Sequence, residues 1–145
     1  MTPPSTPNDD WAALPVEPAL STLVDLVEIH HAGGPILDAG CGTGRVHEAL
    51  MRRLVLRPHG YVGVDHTPTA VARAAARYSA GDFRVAERAA LPFASRAFGS
   101  VVCVDLDPAS IGVEVAELLR VARDLVFLQV PLVGAGFDEA VIRAI

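Results

Sequence analysis

The stretch ILDAGCGTGR, residues 36–45, is an apolar run that ends in an acid, Asp38, and then breaks into three alternating glycines, Gly40, Gly42 and Gly44. An apolar run bounded by glycine reads as a buried strand, and the residues from Arg45 onward return to helical spacing. In open α/β sheets ligands bind beyond the carboxyl ends of the strands, so a strand-to-helix turn of this kind is where a site is expected. Glycine permits positive φ and lacks the Cβ that would hold a ligand away from the backbone. Spacing then excludes two ligands. The dinucleotide pattern GxGxxG needs a third glycine where this chain has Arg45, and a P-loop needs Gly-Lys-Ser/Thr, which does not follow.

Working outward, the chain alternates. Residues 19–31 carry Leu20, Leu23, Val24, Leu26 and Val27 at helical spacing, and AGGP stops that helix before the glycine-turn strand. A helix over 45–53 leads to the strand GYVGVD, an Ala-rich helix over 69–78 to the strand DFRVAE, and the strand SVVCVDL to a helix over 113–123. In this last helix Val113, Ala116, Leu118 and Leu119 are expected to face inward; LVFLQV is a fifth strand. Parallel neighbours need crossover connections, so this order predicts a doubly wound parallel α/β sheet of about five strands with helices on both faces.

Composition narrows the function. A formal charge of −5 does not supply the basic face that nucleic-acid binding requires, so a small-molecule partner is expected. Cys41 and Cys103 have no CxxC spacing and no pair of histidines has metal-ligand spacing, so neither a disulfide framework nor a metal site is expected. No basic start followed by an apolar segment opens the chain and no run is long enough to span a bilayer, which predicts a cytoplasmic protein without membrane attachment. Pro3, Pro4, Pro7, Pro15 and Pro18 make residues 1–18 a flexible arm, leaving 19–145 as a single domain.

The glycine turn resembles motif I of the class I S-adenosylmethionine-dependent methyltransferases, whose pattern is an apolar run, an acid and GxGxG. YVGVDHTPTAVARAAAR resembles their second motif, in which an acid ends the second strand; the resemblance gives Asp65 the two ribose hydroxyls. AERAALPFASRAFGSVVCV is similar to the family's GDAxxLPFxxxxFDxVxx. Aligned on Leu91, Pro92 and Phe93, it puts Glu87 at the adenine amino group and the Arg88 backbone amide at the ring, with Ala86 replacing the usual glycine and Gly99 the usual aspartate. The resemblance covers residues 36–131 and implies a Rossmann-like domain that binds S-adenosylmethionine and transfers its methyl group to a small-molecule acceptor.

Several of these residues carry two readings. Asp38 caps the following helix as a turn acid or, as the resemblance implies, holds the glycine loop near the methionine moiety, and one residue can do both; Asp65 forms an Asx turn before HTPT or, by the same resemblance, binds ribose. Cys41 lies beside the cofactor loop as filler and not as a nucleophile. His66, directly after Asp65, is placed to stack near adenosine, whereas His30 and His31 complement the dipole at the end of the first helix. Asp105 and Asp107 in DLDPAS stand at the acceptor edge of the family, where a carboxylate could orient an acceptor or take its proton, or only form a turn with Pro108.

Family members continue past the fifth strand to an antiparallel hairpin, and only 14 residues follow Pro131. The sequence reading therefore lacks that hairpin and treats the domain as C-terminally shortened, with the arm around Trp11 as the one candidate lid. An open fifth-strand edge would favour a homodimer or pairing with a partner chain, there or through VGAGFDEAVIRAI. A non-catalytic S-adenosylmethionine-binding or scaffold protein stands as the alternative function.

Overall fold

A computed structural model describes residues 18–53, 60–104, 106, 109–132 and 136–143. The N-terminal arm, Trp11, His59, Asp105 and Asp107 lie outside the described residues. The element order is α1 (Pro18–His30), β1 (Ile36–Ala39), α2 (Arg45–Arg52), β2 (Tyr61–Asp65), α3 (Pro68–Arg77), β3 (Asp82–Val85), β4 (Phe98–Cys103), α4 (Ile111–Val121), β5 (Ala122–Leu132) and β6 (Gly136–Arg143). The strands form one sheet in the order β3-β2-β1-β4-β5-β6, and every pairing from β3 to β5 is parallel. This is the Rossmann-like parallel arrangement that alternating strands and helices impose.

Period two in the strands sorts side chains to opposite faces of the sheet. Ile36, Val102 and Phe127 pack with Leu20, Leu23, Val24 and Val27 of α1 and Val46, Ala49 and Leu50 of α2. Their neighbours Leu37, Val101, Val126 and Leu128 face the other way, onto Leu118 and Val121 of α4. All four residues of β1 and all six of β4 are buried, because both strands are covered on both faces.

Three local expectations change. The sheet does not end at β5: β6 returns antiparallel along it, pairing Leu132 with Gly136 through to Leu125 with Arg143. An antiparallel partner needs only a tight connection and no crossover helix, so a few residues suffice to build the return strand that the sequence reading left out. The β5 edge is thereby paired within the chain, and the outer edge belongs to β6. Val113 and Ala116 of α4 face outward, Val113 at 62% exposure, while Leu118 and Val121 make the buried stripe. His31 does not act as a cation at the α1 terminus. Its Nε2 donates to the Gly34 carbonyl at 3.1 Å and its Nδ1 accepts from the Ser100 hydroxyl at 2.7 Å, the neutral ring's pattern, and burial lowers its pKa.

Gly99 departs from the family's usual aspartate for a reason the packing supplies. It sits at a register shift in β4, its N–H donates to the Pro35 carbonyl at 2.9 Å, and a Cβ there would lie 2.0 Å from the Gly33 carbonyl oxygen. The chain that enters β1 occupies the space a side chain would need.

Candidate functional site

The order β3-β2-β1-β4 puts β1 at the point where the chain changes direction across the sheet, with β2 on one side and β4 on the other. The carboxyl ends of these strands converge on the glycine turn. Gly40, Gly42 and Gly44 have φ of 95°, 52° and 95°, left-handed values that glycine adopts without a steric penalty. The amides of Gly40 and Cys41 both donate to the Val64 carbonyl, at 2.7 and 2.9 Å, which folds the turn over the end of β2. Gly44 then caps α2.

Asp65 joins the two halves of the site. One carboxylate oxygen accepts the Gly42 N–H at 3.0 Å and the other the Thr67 N–H at 2.9 Å. The second bond is the Asx turn at the start of α3; the first reaches 23 residues back to the glycine loop, which a local turn does not require. The turn reading of this residue is realised, and the same carboxylate ties the glycine loop to the end of β2. His66 is two-thirds exposed, with Nδ1 3.7 Å from the Asp65 carboxylate.

Asp38 is wholly buried beneath the turn. Its Oδ2 accepts the Tyr61 hydroxyl at 2.6 Å, while Oδ1 has no hydrogen-bond partner. Burial pushes this carboxyl from the usual 3.8 up to about 7; the Tyr61 hydrogen bond opposes the rise and the charge of Asp65 adds to it. The folded chain thus binds a proton between about pH 4 and pH 7 that the unfolded chain has released. Stability consequently falls as pH rises through that window, and the cost is complete above pH 7. Three pH units correspond to about 4 kcal/mol. Asp38→Asn should flatten the pH dependence and be more stable than the wild type at pH 8, by up to that order. Urea unfolding at pH 5 and pH 8 measures this directly, and two curves that stay parallel would rule out the buried carboxyl as the cause.

Cys41 is buried beside Asp38, and burial drives its thiol well above the ordinary range, which makes it packing and not a nucleophile. Cys103, at the end of β4, is likewise pushed up to about 11 by burial. Among the described residues no group of three or more His, Cys, Asp or Glu side chains is arranged to hold a metal ion, and no helix is long and apolar enough to cross a membrane.

The loop after β3 completes the rim. Glu87 is exposed and bridges backbone to backbone with Ala90, while Ala86 N–H donates to the Asp65 carbonyl at 3.0 Å. The Arg88 side chain turns inward: Nη1 donates to Cys103 Sγ at 3.3 Å, and Nε lies 3.5 Å from Glu114 Oε2, at ion-pair distance but without hydrogen-bond alignment. A Cβ on Gly40 would stand 3.1 Å from Nη1, so the guanidinium lies directly over the first glycine.

Sequence reasoning missed three supporting residues. Tyr61, read only as the start of a strand, is the hydrogen-bond donor to Asp38. Glu117 and Arg120 clamp the LPF loop: Glu117 accepts the Leu91 N–H at 2.8 Å, and Arg120 donates to the carbonyls of Leu91 and Phe93 at 3.0 and 2.8 Å. Glu117 and Arg120 also pair with each other at 2.6 Å, and that i,i+3 spacing was the available signal.

A family model described as "Methyltransferase domain" matches residues 36–125. No curated protein matches the sequence. Among solved structures, the [4+2]-cyclase SpnF is 26% identical with a TM-score of 0.61, over 76% of this chain and 43% of that one. A SAM-dependent methyltransferase from Methanosarcina mazei is 21% identical with a TM-score of 0.57, over 72% of this chain and 55% of its own. A geranyl diphosphate methyltransferase in complex with SAM is 17% identical with a TM-score of 0.62, over 76% and 48%. This chain spans about half the length of the solved structures it matches. The family match begins at the first residue of β1 and runs into β5, covering the strands and turns that carry the site. This chain therefore belongs to the class I methyltransferase domain family, whose cofactor is S-adenosylmethionine.

Proposed function

We propose that this domain binds S-adenosylmethionine at the glycine turn and transfers its methyl group to a small-molecule acceptor by in-line attack on the sulfonium methyl. The observation that carries the reading is the bond from the Gly42 amide to Asp65, which holds the loop at the end of β1 and the acid at the end of β2 as one clamp. The donor set fits the cofactor. Each Asp65 oxygen, already accepting one amide, has a second lone pair for a ribose hydroxyl. Once ionised above about pH 7, Asp38 adds buried negative potential behind the loop through its unpaired Oδ1, which suits a ligand bearing positive charge.

When bound, the cofactor supplies an activated methyl group. The chain's own residues position it: the left-handed glycines admit close approach of the ligand to the peptide groups, and Asp65, with Glu87 and the Arg88 amide at the rim, orients the nucleoside. Fixing donor and acceptor in line is the protein's main contribution to such a transfer, since it removes the entropy of bringing them together. The acidic charge balance favours a small acceptor over a polyanion. Asp105 and Asp107 follow β4 and are the carboxylates proposed to orient that acceptor.

Fold alone does not establish the reaction, as the cyclase among the structural neighbours illustrates. The test is calorimetric titration with S-adenosylmethionine and its demethylated product, followed by assay of product release over a panel of alcohol, amine, carboxylate and thiol acceptors. Binding with turnover is the expected result. Failure of the wild type to bind either ligand would overturn the cofactor assignment, and binding without turnover would leave the domain as a non-catalytic cofactor binder.

A further inference from the structure

We propose that the Arg88 side chain is a latch on the cofactor cradle, holding the space over Gly40 with the chain's own cation until the cofactor displaces it. This rests on the cofactor reading above and concerns a side chain to which the family resemblance gives no role; there only the backbone amide of this position is implicated. The steric part is direct. The guanidinium lies where a Cβ on Gly40 would nearly touch it, and a ligand laid against the Gly40 backbone needs that same space.

The electrostatic part explains why the side chain turns inward at all. At this end of the sheet the Arg88 guanidinium is within electrostatic reach of both Asp65 and Glu114, and the second is 3.5 Å from its Nε. Burial opposes its charge; the Cys103 sulfur accepts one of its N–H groups, and the carboxylates of Glu114 and Asp65 offset the cost. A sulfonium-bearing ligand exchanges one positive charge for another, so these carboxylates keep a counter-ion throughout.

The latch is also weakly fastened. A buried thiol that stays protonated is a poor acceptor, and the Glu114 contact is an ion pair at 3.5 Å without hydrogen-bond alignment. Arg88 itself belongs to a rim loop whose neighbours Glu87, Ala89 and Ala90 are exposed, so its side chain can swing outward without disturbing the core.

The test measures binding of S-adenosylmethionine and of its demethylated, electrically neutral product to wild type, Arg88→Met, Glu114→Gln and the double variant, each checked for an intact melting transition. Arg88→Met is expected to tighten both ligands by about tenfold, a change typical of removing one competing charged contact. Glu114→Gln should tighten the neutral product in the wild-type background, because it unfastens Arg88. It should have no effect once Arg88 is gone, a non-additivity that two independent sites would not show. Unchanged or weaker binding by Arg88→Met would overturn the latch and make Arg88 a structural or ligand-holding residue. If Arg88→Met does not fold, Glu114→Gln with the neutral product decides alone, and failure to tighten overturns the latch. Absence of binding by every folded variant would instead overturn the cofactor reading on which the latch depends.

Discussion

Asp65→Ala is expected to weaken binding of S-adenosylmethionine by at least about 100-fold, and of its demethylated product equally, because both carry the same ribose. Two hydrogen bonds to a carboxylate are worth roughly 1.5–3 kcal/mol each, so losing both spans about two to four decades in affinity. The substitution also strips the acceptor from the Gly42 and Thr67 amides, and the glycine loop loses its tie to β2. A stability cost of about 1–2 kcal/mol is expected from those orphaned donors, too small to unfold a domain with this core. Calorimetric titration with both ligands, paired with a thermal melt, separates the two effects. If affinity stays within threefold of wild type, Asp65 is only the turn residue before α3.

Gly99→Ala should produce the largest loss of stability of any single methyl addition discussed. The added Cβ would meet a backbone carbonyl at 2.0 Å, and a main-chain atom pinned between α1 and β1 cannot rotate away as a side chain would. Overpacking of this kind costs typically up to about 3 kcal/mol, and a backbone collision stands at the upper end. For a domain of this size that is a fall in Tm of about 10 °C. Gly99→Asp, which places the family's usual residue there, should be no milder, since it adds a charge in a buried position to the same collision. A scanning-calorimetry shift under about 2 °C for Gly99→Ala would mean that the segment around Gly33 yields.

These two positions mark where the sequence was readable and where it was not. Asp65 was found in the sequence because its signal is local: an acid at the end of an apolar strand, before a turn, one helix and one strand after the glycines. Gly99 stood out only as a departure, because the reason for it lies 66 residues earlier in the carbonyl of Gly33. Glu117 and Arg120 are i,i+3 neighbours on a helix, a spacing that signals their pairing with each other but not their grip on the backbone of the LPF loop.

Sequence by itself determined the alternation of strands and helices, the parallel sheet and the glycine turn with its acid partner. Periodicity, glycine placement and crossover geometry are near-neighbour properties of the chain. Tertiary structure alone decided that Asp38 is buried against Tyr61 with a raised pKa, that β6 covers the edge of β5, and that Arg88 folds inward over Gly40. Each of these depends on which distant groups share a volume from which water is excluded. Burial and charge compensation are properties of that volume, and no stretch of sequence contains it.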